Sequence, residues 1–362
     1  MQSGEKILIV RLSAIGDVVH VLPALRCLRR HRPYAYIAWL VEDRVADLLD
    51  GHPDLDEVIV FPRKRWREGL FGPLQLLKTV ASVFRFFRNE LRAKGFDVAL
   101  DFQGNLKSGV MTYLSGAPVR VGFGKQDCRE YNYLFTNRHA GPQQERAHRV
   151  EKYLSLLTAL DIKPAYERST IRISPEDRDY VRKSMEACVS GPGPVVVIHP
   201  GTSQFGAYKR LPVKLLIELG DRLVEELDAQ VVLTWGPDEE GMAKEVVSGM
   251  KRGGCLAPRS FNMARLAGII GQADLFISVD TGPMHIASVL GVPQVAIFGP
   301  KDPAIYGPYN EQSRVVWKNI ECSPCVKRTC NDPICITEIT VDEVFAAARE
   351  LLRSKKTVAR GS

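Results

Sequence analysis

Apolar residues along the chain follow two rhythms. Short, nearly continuous apolar runs fall at 7–11 (ILIVR), 36–41, 58–61 and 98–101, and each reads as a strand. Between them, 17–30 and 74–94 carry apolar positions at helical spacing. A turn-rich stretch, SGPGP at 190–194, interrupts the pattern, and the same alternation then restarts. Strands are predicted at 195–199 (VVVIH), 230–234, 275–279 and 295–298, with helices over 215–227, 262–270, 284–290 and 341–354. Strands alternating with helices predict an α/β chain built on parallel, doubly wound sheets. Ligands of such sheets bind beyond the carboxyl ends of the strands, so the cleft between the two halves is the expected active site.

Length supports two domains, since 362 residues exceed what one core usually serves. The composition, 45% hydrophobic and 25% charged, is that of a globular protein. No apolar run reaches the roughly 18 residues of a membrane-spanning helix. The opening MQSGEKILIVRLSAIGD has no small-residue cleavage site behind its apolar run, so it reads as a first strand and the protein is expected in the cytoplasm. A net charge of +7 favours acidic partners. Part of it is clustered, at Arg26, Arg29, Arg30 and Arg32 and again at Arg63, Lys64, Arg65 and Arg67. These cations come without a recognisable nucleic-acid module, so nucleic acid is not the expected partner. The 70–92 stretch sets four phenylalanines among arginines, a pattern that suits either a membrane surface or a helix packed on its sheet.

Four glycine- or proline-marked turns follow predicted strands. Arg11-Leu-Ser13-Ala-Ile-Gly16-Asp17 places Asp17 where a helix begins, as either a cap or a general base. His199-Pro-Gly201-Thr202-Ser203, followed by Lys209 and Arg210, has the small residues, hydroxyls and cation that suit a diphosphate. Asp280-Thr281-Gly282-Pro283-Met-His285 offers donors for a phosphate and polar groups for a sugar or ribose. Trp235-Gly-Pro-Asp238-Glu239 supplies a carboxylate suited to ribose hydroxyls or to capping the next helix. Neither G-x-G-x-x-G nor a P-loop occurs, which argues against a nicotinamide oxidoreductase or a P-loop kinase. The D-x-D at Asp54 and Asp56 precedes a strand and reads as a turn. Cys27, Cys128, Cys188 and Cys255 are scattered like the free thiols of a reduced compartment. Cys322, Cys325, Cys330 and Cys335, as C-x2-C-x4-C-x4-C, form a candidate structural cluster, as a zinc site or as thiols.

The segments RLSAIGDVVHVLPAL, LDFQGNLKSG, HPGTSQFGAYKRLP and SVDTGPMHIASVLGVPQVAIFGP, in this order, resemble the lipopolysaccharide heptosyltransferases of glycosyltransferase family nine. The likeness runs from about residue 6 to 350, and the D-T-G-x-x-H form is nearer the heptosyltransferase I branch. It implies a GT-B fold: a Rossmann-like acceptor-binding domain over 1–172, a nucleotide-sugar-binding one over 173–340, and a terminal helix, 341–355, packed back on the first. It implies inverting, metal-independent transfer of heptose from ADP-heptose to the Kdo region of lipid A. It further implies that no cofactor is required and that the enzyme works at the cytoplasmic face of the inner membrane. Asp17 matches the family's catalytic base. On the donor side Thr202, Ser203, Lys209, Glu239, Phe261, Asp280, Thr281, Gly282 and His285 match. Arg63, Lys64, Arg65, Arg67, Gln103, Lys107 and Arg129 fall on the acceptor side. KRLP stands where the family has a lysine-aromatic-tryptophan-proline pattern, and the turn holding Glu239 is one residue shorter. A nucleotide-sugar epimerase or a non-catalytic binder of anionic lipid are the competing readings.

Overall fold

The structure is a computed structural model that describes residues 4–359 apart from 64–65, 67–72, 143, 145, 203, 261, 326 and 328. It divides into two units, Met1–Arg172 and Ile173–Ser362.

In the first unit β1 (Lys6–Val10), α1 (Ile15–His31), β2 (Tyr36–Glu42), β3 (Glu57–Phe61), α2 (Pro73–Phe86) and β4 (Val98–Asp101) follow one another. Then come α3 (Leu106–Leu114), β5 (Val119–Phe123), β6 (Arg138–Ala140) and α4 (Arg149–Ser155). All strands are parallel, in the order β3-β2-β1-β4-β5-β6. The central position of β1 explains its unbroken apolar run. Ile7, Leu8, Ile9 and Val10 are wholly buried, as a parallel strand covered on both faces requires.

The arginines of α1 bind the D-x-D. Arg26 meets Asp54 at 2.8 Å and Arg29 meets Asp56 at 2.5 Å, while Asp56 also accepts from the Ile37 amide at 2.8 Å. Both carboxylates thereby tie α1 to the turn before β3. The helix predicted over 74–94 is not uniform. After Phe86 the chain widens for one turn through Phe87–Leu91, tightens through Arg92–Lys94, and ends at Gly95 with φ 65°. β5, β6, α3 and α4 escape the apolar pattern. β6 is Arg-His-Ala, and α3 carries a glycine within nine residues.

The second unit begins with α5 (Pro175–Cys188), β7 (Val195–His199), α6 (Val213–Leu227), β8 (Gln230–Leu233), α7 (Glu240–Gly249) and β9 (Cys255–Leu256). It continues through α8 (Met263–Gly271), β10 (Leu275–Val279), α9 (Gly282–Leu290), β11 (Gln294–Phe298) and β12 (Ser313–Trp317) to α10 (Val341–Ala359). The sheet order is β12-β11-β10-β7-β8-β9, so β7 and β10 stand to it as β1 and β4 stand to the first sheet. Two expectations are corrected here. The terminal helix packs within the second unit, where the expectation had set it on the first. Its stripe of Val344, Phe345, Ala348, Leu351 and Leu352 joins the core that holds Leu216, Leu219 and Leu223 of α6. Cys188 and Cys255 are a disulfide rather than free thiols, with Cα atoms 5.3 Å apart. Their separation of 67 residues along the chain hides that the end of α5 lies against β9.

Gly109 lets α3 approach the chain at 132–135. A Cβ there would stand 2.8 Å from Asn132 Nδ2 and 2.9 Å from Phe135 Cδ2. Gly109→Ala is therefore expected to lower unfolding free energy by about 1–2 kcal/mol despite alanine's better helix propensity. Urea denaturation measures it, and a stabilised variant would contradict the packing.

Candidate active site

In both sheets the strand order reverses between the first strand and the fourth, so the loops that leave those strands diverge and open a crevice at their carboxyl ends. In the first unit the loops after β1 and β4 form it. Asp17 sits in the first turn of α1, where Oδ2 accepts from the Ala14 amide at 3.4 Å. Arg11, at the end of β1 and 5% exposed, sets Nη2 2.6 Å from the same oxygen. The Tyr153 hydroxyl donates to Oδ1 at 3.2 Å. Burial works to raise the Asp17 carboxyl, but the cations of Arg11 and Arg149 outweigh it and hold Asp17 below the usual carboxylate range. Burial raises Tyr153, so its hydroxyl keeps the proton it donates.

The loop after β4 is organised by Asp101, which is wholly buried. It accepts from the Gln103 amide (2.9 Å), the Gly104 amide (3.0 Å), Ser108 Oγ (2.8 Å) and Asn132 Nδ2 (2.7 Å). Burial lifts its carboxyl above the ordinary range in spite of these donors. The loop so fixed is laced to the β1 loop: Arg11 Nη1 donates to Phe102 O, and the Leu12 amide donates to Gln103 Oε1, each at 2.9 Å. The Arg129 amide donates to Gly104 O at 2.7 Å and brings a third loop to the same place. Together they enclose a cavity of about 440 Å³ in which Asp17, Gln103 and Arg129 meet Arg149, Lys152 and Tyr153.

Of the expected acceptor residues, Gln103 and Arg129 line this cavity. Arg63 and Lys107 do not. They gather instead on Glu42, the buried last residue of β2, at 3.1 and 2.8 Å, with Arg44 at 3.2 Å. Burial pushes the Glu42 carboxyl up, but Lys107 and Arg63 more than offset it. Lys64, Arg65 and Arg67 lie outside the described residues, as do Ser203 and Phe261 on the donor side.

In the second unit the crevice falls between the loops after β7 and β10. Lys209 Nζ reaches Asp280 Oδ2 at 2.6 Å and Asp280 O at 3.2 Å. This sets the ammonium at the strand-to-helix turn where Thr281 and Gly282 begin α9. Thr202 is buried, its carbonyl held by Arg210. Glu239, 6% exposed, accepts from the Gly236 amide at 2.7 Å and stands 3.2 Å from His199 Nε2. Burial raises its carboxyl, but His199 and the Gly236 amide win and lower it. A Cβ on Gly201 would lie 2.5 Å from Glu239 Cδ, so a larger residue there would have to push this carboxylate aside. His285 is buried within α9.

The sequence reading did not single out Arg149, Lys152, Tyr153, Asp101 or Glu42. The last two left a trace, as single carboxylates that close apolar strands. The helix carrying the first three has no motif. Cys322, Cys325 and Cys330 lie near enough to Cys335 to help burial raise its thiol. Among the described residues no group of three or more His, Cys, Asp or Glu side chains is disposed to hold a metal ion.

Two parallel sheets, each with loops that diverge at the point where strand order reverses, are the two halves of a GT-B fold. The model of glycosyltransferase family 9 (heptosyltransferase) matches residues 83–335, and the chain belongs to that family. Lipopolysaccharide heptosyltransferase 1 of Pseudomonas aeruginosa is 29% identical to it, over 98% of this chain and 99% of that one. The protein of the same name from Escherichia coli K12 is 28% identical, over 86% of this chain and 92% of that one. Among solved structures, E. coli heptosyltransferase WaaC with ADP superposes with a TM-score of 0.74 at 26% identity, covering 96% of this chain and 99% of that one. E. coli ADP-heptose lps heptosyltransferase II gives 0.75 at 22%, covering 97% and 99%.

Two measurements check this geometry. Carboxyl NMR should show Asp17 titrating below the usual range, and Arg11→Gln should move it up. An unmoved titration would mean that Arg11 does not set it. Asp101→Asn exchanges an acceptor for a donor amid four donors, and should cost about 1–3 kcal/mol of stability by denaturant titration.

Proposed function

We propose that this chain transfers heptose, with inversion, from ADP-heptose to the Kdo-bearing inner core of lipid A. The observation that carries the reading is the setting of Asp17: an ionised carboxylate in a cavity whose other charged walls are the four cations Arg11, Arg129, Arg149 and Lys152 and one further carboxylate, Asp127. Such a cavity suits a sugar that bears its own acid group. The likeness to the Pseudomonas lipopolysaccharide heptosyltransferase 1, and to E. coli heptosyltransferase WaaC with ADP-2-deoxy-2-fluoro heptose, supports the donor and the pathway.

The residues divide the step between them. Asp17 accepts the proton of the acceptor hydroxyl as its oxygen bonds to the anomeric carbon. The bond from that carbon to the diphosphate breaks on the opposite face, its electron pair leaving with ADP. A single displacement of this kind inverts the centre. Charge grows on the departing diphosphate through an oxocarbenium-like transition state, and Lys209 with the amino end of α9 meets it there. Asp280 holds the Lys209 ammonium in place for that role. Thr202, Thr281 and Gly282 border the diphosphate. Glu239, held by the Gly236 amide and His199, serves the ribose side by shaping the crevice. Gln103 and Arg129 orient the acceptor, while Arg63 and Lys107, gathered on Glu42, present positive charge to its phosphates. No helix among the described residues is long and apolar enough to cross a membrane. Action at the cytoplasmic face of the inner membrane, as a peripheral protein, belongs to the same proposal.

ADP-heptose is expected to raise the melting temperature more than UDP-sugars do, since only the folded chain binds it. No selective shift would remove the donor assignment. Asp17→Ala should lower kcat by roughly 10²–10⁴ with the fold intact, and full activity would dismiss Asp17 as base. Lys209→Ala should reduce kcat/KM for the donor by roughly 10²–10³ and leave the acceptor's KM nearly unchanged. Unaltered donor kinetics would reject the diphosphate role.

A further inference from the structure

The side of α3 that faces away from the sheet is apolar. Ser108, Met111 and Thr112 face inward, while Leu106 and Tyr113, seven residues apart and so on one helical face, are 47% and 57% exposed. The chain at 130–135 runs alongside. Glu130 accepts from the Leu106 amide at 3.2 Å, Gly109 abuts Asn132 and Phe135, and the rings of Tyr113 and Phe135 are 6.4 Å apart. That neighbouring segment exposes Tyr131 (70%) and Leu134 (67%). Four large side chains are therefore left in water on α3 and the segment beside it. A surface helix ordinarily turns polar residues outward.

The patch begins where the wall of the Asp17 cavity ends. Asn105 and Arg129, which line that cavity, immediately precede Leu106 and Glu130 in the chain. Cations accompany it. Arg120 stacks on Tyr113 at 5.4 Å, and Lys125 and Arg129 are exposed, whereas Glu130 is engaged by the Leu106 amide. Tyrosines with an apolar body and a polar tip, leucines beside them and arginines at the rim suit a lipid–water boundary. Four side chains fall well short of the roughly 20–30 residues per side of a stable protein interface.

We infer that Leu106, Tyr113, Tyr131 and Leu134 seat this chain on the surface of an anionic lipid bilayer, with Arg120 and Lys125 against lipid phosphates. The inference rests on the reading of the acceptor as lipid-borne: it puts the mouth of the acceptor cavity beside the membrane that carries the acceptor. The patch also differs from the membrane-facing candidate in the sequence, the phenylalanine-rich 70–92 stretch.

Two double variants test it, Leu106→Ser with Tyr113→Ser, and Tyr131→Ser with Leu134→Ser. The full-length chain is sedimented with vesicles of phosphatidylethanolamine and phosphatidylglycerol. Transfer is assayed on acceptor embedded in those vesicles and on the same sugar after removal of its acyl chains. Each variant should bind vesicles roughly tenfold or more weakly, since a leucine withdrawn from the acyl boundary alone contributes about that factor. Transfer to embedded acceptor should fall in parallel, and transfer to the deacylated sugar should stay at the wild-type rate. Vesicle binding unchanged in both variants overturns the inference. So does equal loss on the deacylated sugar, which would assign the patch to the sugar site. A wild-type dimer that both variants dissolve would assign it to a second copy. If the wild type fails to use ADP-heptose on the deacylated sugar, the proposed function falls, while sedimentation still decides the lipid surface.

Discussion

Everything functional here depends on one topological constraint. A parallel sheet is extended by right-handed crossovers, so a chain that fills one side of its first strand and then the other must send the two crossover helices to opposite faces. The loops that leave β1 and β4 are thereby pushed apart, and no backbone fills the space between their ends. The second unit repeats the arrangement at β7 and β10. Asp17 stands beyond the first of these strand pairs and Lys209 with Asp280 beyond the second. The hydrophobic core has no stake in the identity of those loop residues, which leaves them free to carry chemistry.

A crevice lined by polar groups must still be held in shape, and buried carboxylates do that work. Asp101 gathers four donors at the end of β4, Glu42 three cations at the end of β2, and Glu239 an amide and a histidine beside the β7 loop. Each replaces the water its charge has lost with several directed partners, which is the condition for a buried charge to be tolerated. Each also joins segments distant in sequence. Asp101 fixes Gln103 and Gly104 against Asn132, and Glu42 draws together Arg63 and Lys107. Rigid loops give substrate groups fixed places to bind, so these residues act on chemistry through position and not by contact.

The sequence disclosed the parts of this that local pattern encodes. Central strands such as β1 and β7 are apolar throughout because both faces are covered, and the turns after them carry the glycines and hydroxyls of a phosphate loop. The order of four motifs sufficed to identify the family. What stayed hidden was pairing across distance. Nothing near Asp101 tells that Asn132 will meet it, and nothing in Glu42 announces three cations. The Cys188–Cys255 bond and the place of α10 failed for the same reason. Both concern which distant surface an element meets, and an apolar stripe such as Val344–Leu352 fits many partners until the fold selects one. Edge strands were missed on different grounds: β6 and β12 are partly exposed and lose the apolar signal.

The electrostatics of Asp17 bear on how the proposed transfer proceeds. Arg11 and Arg149 hold its carboxyl low, which keeps the base ionised but makes it a weak one. A weak base removes little of an alcohol's proton until the oxygen has begun to bond to carbon and become acidic. The proton then moves late, and breaking the bond to the diphosphate must run ahead of it. Such a step gains most from whatever stabilises the departing charge, which is the role proposed for Lys209 and the amino end of α9. Tyr153 complements this. Its hydroxyl keeps its proton and occupies Oδ1, and with Arg11 on Oδ2 the carboxylate is fixed at both oxygens. The cations thus trade base strength for orientation. That exchange favours an enzyme whose difficult event is departure of the leaving group and not capture of the proton.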